Sequence, residues 1–159
     1  MNIITLQNNP GQQDYLLKED DRAVLKLRFN NERHIARLET EKERRVLIIE
    51  EQGLLRTFLV LKNEYGVRIG SLHYDNFSAN QGTVDIENTK YRFDLEQNGS
   101  PELRVYKRSR RNLIYRCQLI IENNNSKTAL ASLIIAVTWY LFLKGEAQKH
   151  HAFNEAIIL

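Results

Sequence analysis

The sequence predicts a mainly β fold, a closed antiparallel β-barrel wrapped around its own hydrophobic C-terminal α-helix. Three observations carry this expectation. Up to about residue 122, apolar residues recur with period two between turn-forming pairs. From Thr128 to Leu143 no charged residue occurs and nearly every position is apolar. A helix apolar on all sides must be surrounded, and strands with one apolar face must be covered, so each satisfies the other.

The chain has 159 residues, 42% hydrophobic and 27% charged, which suits one globular domain over 1–159. A net charge of +3 permits an acidic partner without requiring one. The single cysteine, Cys117, excludes an internal disulfide. The start, MNIITLQNNPG, lacks a basic segment followed by an apolar run, so a cytoplasmic location is expected. No internal repeat and no low-complexity stretch is present.

Taken in order, RAVLKLRF puts Ala23, Leu25, Leu27 and Phe29 on one face and Arg22, Lys26 and Arg28 on the other. RVLIIEE and LLRTFLVLK are apolar on both faces. VRIGSLHY changes phase around Gly70, where a bulge fits. KYRFDLE sets Tyr91, Phe93 and Leu95 against Arg92, Asp94 and Glu96. LIYRCQLIIE aligns Leu113, Tyr115, Cys117, Leu119 and Ile121. Between the runs lie Asn8-Asn9-Pro10-Gly11, Asn30-Asn31, Gln52-Gly53, Tyr65-Gly66, Gln81-Gly82 and Asn98-Gly99, read as turns. The runs amount to about ten or eleven strands, enough that a twisted sheet curls or closes.

A helix is expected over about 126–144, with Ser126 as N-cap, Lys144 at the negative end of the dipole and Gly145 just past the end. Residues 146–159 read equally as more helix or as a last strand, AIIL. At about 1.5 Å per residue, the uncharged run spans roughly 24 Å, short of a bilayer core of about 30 Å. Moving it into a membrane also strips the strands of their cover, a loss of tens of kcal/mol at about 25 cal/mol per Å². The membrane alternative keeps Trp139 and Tyr140 as interfacial residues.

This order of elements, with LASLIIAVTWYLFL, resembles the tubby C-terminal-like superfamily over about Tyr15 to Gly145. That superfamily takes in the tubby domain, the phospholipid scramblases and the LURP-one-related proteins. The short chain is more similar to the LURP-one and scramblase branch. The resemblance implies about twelve strands around a central hydrophobic helix. It also implies a non-enzymatic role: binding phosphoinositide headgroups through basic side chains, or moving lipids with a calcium-responsive segment and a C-terminal helix.

The sharpest charge feature is RVYKRSRRNLIYR, where Arg104, Lys107, Arg108, Arg110, Arg111 and Arg116 occur with no acid between them. Guanidiniums at a hairpin tip can grip phosphate oxygens in pairs. The plainer explanation is a solvated turn that keeps strand edges from pairing. Tyr106 and Tyr115 flank the patch and could stack on bases, but the small net charge and the lack of a nucleic-acid motif disfavour that partner. Asp94, Glu96, Asn98 and Gly99 follow the start of a calcium loop, yet Val105 stands where a bidentate Glu is required, so Asn98-Gly99 reads as a hairpin turn. His34, His73, His150 and His151 lack ligand spacing, and Cys117 reads as an inert core thiol. No P-loop, dinucleotide fingerprint, zinc pattern or nucleophile elbow occurs. The expectation is a non-enzymatic binding module without metal or cofactor, taking an anionic, phosphate-bearing ligand or membrane headgroup, cytoplasmic or peripheral at the membrane. The alternative is a scramblase-like lipid-handling protein whose helix inserts.

Overall fold

The computed structural model describes residues 1–54, 58–75, 79–99, 101–107, 113–119 and 127–158, without the side chains of 113, 119 and 153–158. Among these residues eleven strands form one closed barrel. They are β1 (Asn2–Asn8), β2 (Gln12–Glu19), β3 (Arg22–Asn30), β4 (Ile35–Glu39), β5 (Arg44–Gln52) and β6 (Phe58–Lys62). The circuit continues through β7 (Arg68–Tyr74), β8 (Gln81–Ile86), β9 (Thr89–Glu96), β10 (Glu102–Lys107) and β11 (Leu113–Leu119). Each strand pairs antiparallel with the next. The closing pair, β1 with β11, is parallel, through Asn2↔Gln118 and Ile3↔Leu119. An odd number of strands in an up-and-down order forces this, because the last runs in the same direction as the first. The barrel is therefore mixed at its seam rather than wholly antiparallel, and the twelve strands implied by the resemblance are eleven among the described residues.

Alternation fills the interior. Leu25, Leu27 and Phe29 of β3 are buried, as are Tyr91, Phe93 and Leu95 of β9 and Cys117 of β11. Ala23 is not. A bulge shifts the register from Leu17↔Leu25 to Lys18↔Ala23, leaves Val24 as the extra residue and turns Ala23 out to solvent. A second bulge, at Ile69, separates Leu61↔Gly70 from Lys62↔Arg68 and accounts for the phase change near Gly70.

Asp20-Asp21 and Glu87-Asn88 join their strands with both residues at positive φ (48° and 62°; 46° and 67°). That is the two-residue turn whose twist matches a hairpin. Gln81-Gly82, expected as a turn, lies inside β8. A Cβ on Gly82 would stand 2.2 Å from the His73 carbonyl oxygen and 2.8 Å from the Phe93 ring, so glycine there permits close packing.

Helix α1 (Lys127–Ile158) enters at one rim, where the Lys127 ammonium lies 5.3 Å from the Tyr74 ring centroid. Every residue from Ala131 to Trp139 is buried, so the whole circumference of the helix is covered by sheet. Ile134 and Ile135 are among the most deeply buried side chains, beside Phe29, Leu61, Leu72 and Leu103. The buried hydroxyls of Ser132 and Thr138 donate to the carbonyls of Ala129 and Ile134, both at 2.7 Å, so neither is left unsatisfied. The stretch Lys127–Ala152 is long and apolar enough to cross a membrane, but 61% of its apolar window is buried inside the barrel. Ser126 lies outside the described residues. Gly145 does not end the helix, contrary to the expected boundary near 144. Its φ is not positive, and α1 runs on through the Glu146–Lys149 pair out of the barrel. Residues 146–158 thus extend the helix and form no strand.

Candidate functional site at the helix exit

Strand direction sorts the charged residues between two rims. The ends of β2, β4, β6, β8 and β10 share one rim with the starts of β1, β3, β5, β7, β9 and β11. The helix leaves through this rim, since Trp139 and Tyr140 reach Glu43 and Glu19 there.

The six basic candidates divide. Arg104 and Arg116 are cross-strand partners on the outer wall, away from the exit rim. Arg104 bonds Glu102 through Nε at 2.6 Å and Glu96 through Nη2 at 2.8 Å, and Arg116 lies 3.9 Å from Glu102. The hydrogen bond that Arg104 donates to Glu102 raises the Arg104 pKa above its usual value. Acids on its own strand and the next hold Arg104, while Arg116 makes one long contact and stays largely exposed on the outer wall. Lys107 ends β10 at the exit rim, close enough to Glu146 of the helix to help lower that acid's pKa, after the larger effect of Lys149. Arg108, Arg110 and Arg111 lie outside the described residues, between Lys107 and Leu113 in the sequence.

The same rim exposes apolar side chains. Tyr65 and Val67, in the β6–β7 turn, are 83% and 57% exposed, and Ile114 near the start of β11 is 44% exposed. Sequence reasoning used Tyr65 only as a turn marker. Nothing in its local pattern shows that its hairpin shares a rim with Lys107.

Between the helix and the β2–β3 and β4–β5 turns lies a cleft of about 570 Å³. Val24, Leu143 and Ala147 supply apolar surface, and charged side chains surround them. Tyr140 Oη donates to Glu19 Oε2 and Lys144 Nζ to Glu19 Oε1, both at 2.8 Å. The Lys144 bond holds the Glu19 carboxyl below the ordinary range, against the opposing effect of burial, and Tyr140 adds to the lowering. Burial, then the Glu19 bond, pushes Tyr140 up to about 12. The Trp139 indole N–H donates to Glu43 Oε1 at 3.4 Å, Arg45 pairs with the same acid, and Arg22 pairs with Glu41.

Chemistry of other kinds has little support among the described residues. No group of three or more His, Cys, Asp or Glu is placed to hold a metal ion. Asn98-Gly99 forms the β9–β10 hairpin turn with Gly99 at φ +85°, and Glu96 is engaged by Arg104. Cys117 is fully buried, and burial pushes its thiol up to about 12, which suits a core side chain and not a nucleophile. Compared with family models, curated proteins and solved structures, the chain finds no match.

Proposed function

We propose that this protein is a non-enzymatic module that docks on anionic, phosphate-bearing membrane surfaces with its helix-exit rim. The observation that carries the proposal is the presence, on one rim, of exposed Tyr65, Val67 and Ile114 with Lys107, which precedes Arg108, Arg110 and Arg111 in the sequence. Lys107, Arg108, Arg110 and Arg111, at about 1 kcal/mol each near an anionic surface, supply about 4 kcal/mol, or a dissociation constant near 1 mM. Partial burial of Tyr65 and Val67 in the interface adds about 3 kcal/mol, which brings binding toward the micromolar range. Both terms are needed. Arg104 and Arg116 are left out of the docking set, because they pair mid-strand on the outer wall, away from the exit rim.

The resemblance to the tubby-like superfamily, and a cytoplasmic place with peripheral attachment, belong to this proposal. The buried part of the helix, Ala131 to Trp139, stays in the barrel on docking, in contrast to a scramblase-like protein whose helix inserts.

Flotation with phosphatidylcholine vesicles, with and without phosphatidylserine, tests it. The wild type is expected to float only with anionic vesicles and to be released by salt. R108E/R110E/R111E and Y65S/V67S are each expected to stay at the bottom, while R116Q floats like the wild type. Equal flotation of the triple variant, or no flotation of the wild type, overturns the proposal.

A further inference from the structure

The cleft at the helix exit has features of a built ligand site, separate from bilayer docking. Its volume of about 570 Å³ falls within the range of small-molecule pockets, about 300–1,000 Å³. Its wall is shaped by the β3 bulge, which sets Val24 out of register and turns Ala23 away from the core into the cleft. Bulges recur beside binding sites because they re-aim side chains. The turn that frames it is the two-residue Asp20-Asp21 hairpin, with both residues at positive φ.

Most of the charged lining is already committed. Glu19 holds Tyr140 and Lys144, Glu41 holds Arg22, and Glu43 holds Arg45 and the Trp139 indole. The side chains of Asp20 and Lys42, both exposed, make no hydrogen bond or ion pair among the described residues. One free acid and one free base therefore stand at the same opening, above the apolar surface of Val24, Leu143 and Ala147. The lining holds four acids and three bases, and Arg45 beside it pairs with Glu43, so the charges balance and favour neither a purely anionic nor a purely cationic ligand.

We propose that this cleft binds a single-chain zwitterionic amphiphile. Its amine faces Asp20, its anionic group faces Lys42, and the first part of its chain lies against Val24, Leu143 and Ala147. A wholly apolar ligand leaves both charges unanswered, and a wholly polar one leaves the apolar surface wet.

Trp139 is the only tryptophan and bonds a residue of the cleft lining, so it reports occupancy. The test is titration of the soluble protein with dodecylphosphocholine kept below its micelle concentration, read by Trp139 emission and by calorimetry. A saturable change with one ligand per chain is expected. In A147R, where a long side chain enters from an exposed helix position without touching the core, binding is expected to be lost. D20N/K42Q is expected to bind at least tenfold more weakly, and Asn tolerates the positive φ at position 20. Dodecanol, with the same chain and no charges, is expected not to saturate. The absence of saturable binding by wild type, equal binding by A147R, or unchanged binding by D20N/K42Q each overturns the proposal. None of these measurements uses a bilayer, so failure here is distinguishable from failure of rim docking.

Discussion

Glu19 accepts a hydrogen bond of 2.8 Å from the Tyr140 hydroxyl, joining residues 121 positions apart in the chain. Lys144, one helical turn beyond Tyr140, takes the other carboxylate oxygen at 2.8 Å. One acid at the end of β2 therefore fastens the emerging helix to the barrel rim. E19Q keeps an acceptor but loses the charge, and the expected cost is about 1–2 kcal/mol, since hydrogen bonds to charged groups exceed neutral ones by that order. Urea denaturation measures it. The same loss in E19A/Y140F as in E19A, which leaves Tyr140 no acceptor, would show that Tyr140 acts through Glu19, whereas full additivity would contradict the link.

The latch is pH-dependent with a defined sign. The folded-state pKa of Glu19 is held below the usual 4.5, chiefly by the Lys144 bond. Its contribution is therefore fully present above 4.5 and is lost as pH falls through the lowered folded value. The stability difference between wild type and E19Q is expected to be constant near neutrality and to shrink below the usual carboxylate value. A difference that grows as pH falls contradicts this account.

Two glycine substitutions have opposite expected signs. G82A forces a methyl to within 2.2 Å of the His73 carbonyl oxygen, against backbone that cannot yield, and is expected to cost about 3 kcal/mol or more. G145A meets nothing within 4 Å and sits inside a continuing helix, so it is expected to stabilise by about 0.5–1 kcal/mol. Destabilisation by G145A would mean that the helix stops there in a left-handed cap.

Truncating the buried helix tests its packing. Ile135 is fully buried, and I135A is expected to cost about 2–5 kcal/mol with an unchanged fold. Thermal and chemical denaturation read this directly. A change under about 0.5 kcal/mol would place that side chain outside a packed core.

The barrel was legible because its inner face is written in residues such as Leu27, Phe93 and Cys117, whose period matches the pleat. Ala23 was misplaced because a bulge depends on the partner strand, which local pattern does not contain. Asp20-Asp21 and Glu87-Asn88 lack the glycine that marks such turns, and the close approach at Gly82 borrowed its signature. The end of the helix was misjudged because Gly145 and Lys144 look like a cap, although Lys144 is spent on Glu19. The site was less legible still. No acid falls inside the basic run, yet Glu96 and Glu102 engage Arg104 from across the sheet and from two residues away. The exit cleft draws on three segments that meet only when the barrel closes around the helix.

The enclosure of that helix is tested most directly by Trp139, which is 3% exposed within the barrel. The protein is bound to anionic vesicles whose lipids carry bromine at the middle of the acyl chains, and Trp139 emission is recorded. The enclosed helix predicts blue-shifted emission that the bromines leave unquenched. Strong quenching, with the strands still folded by circular dichroism, would put the helix among the lipids and contradict the account.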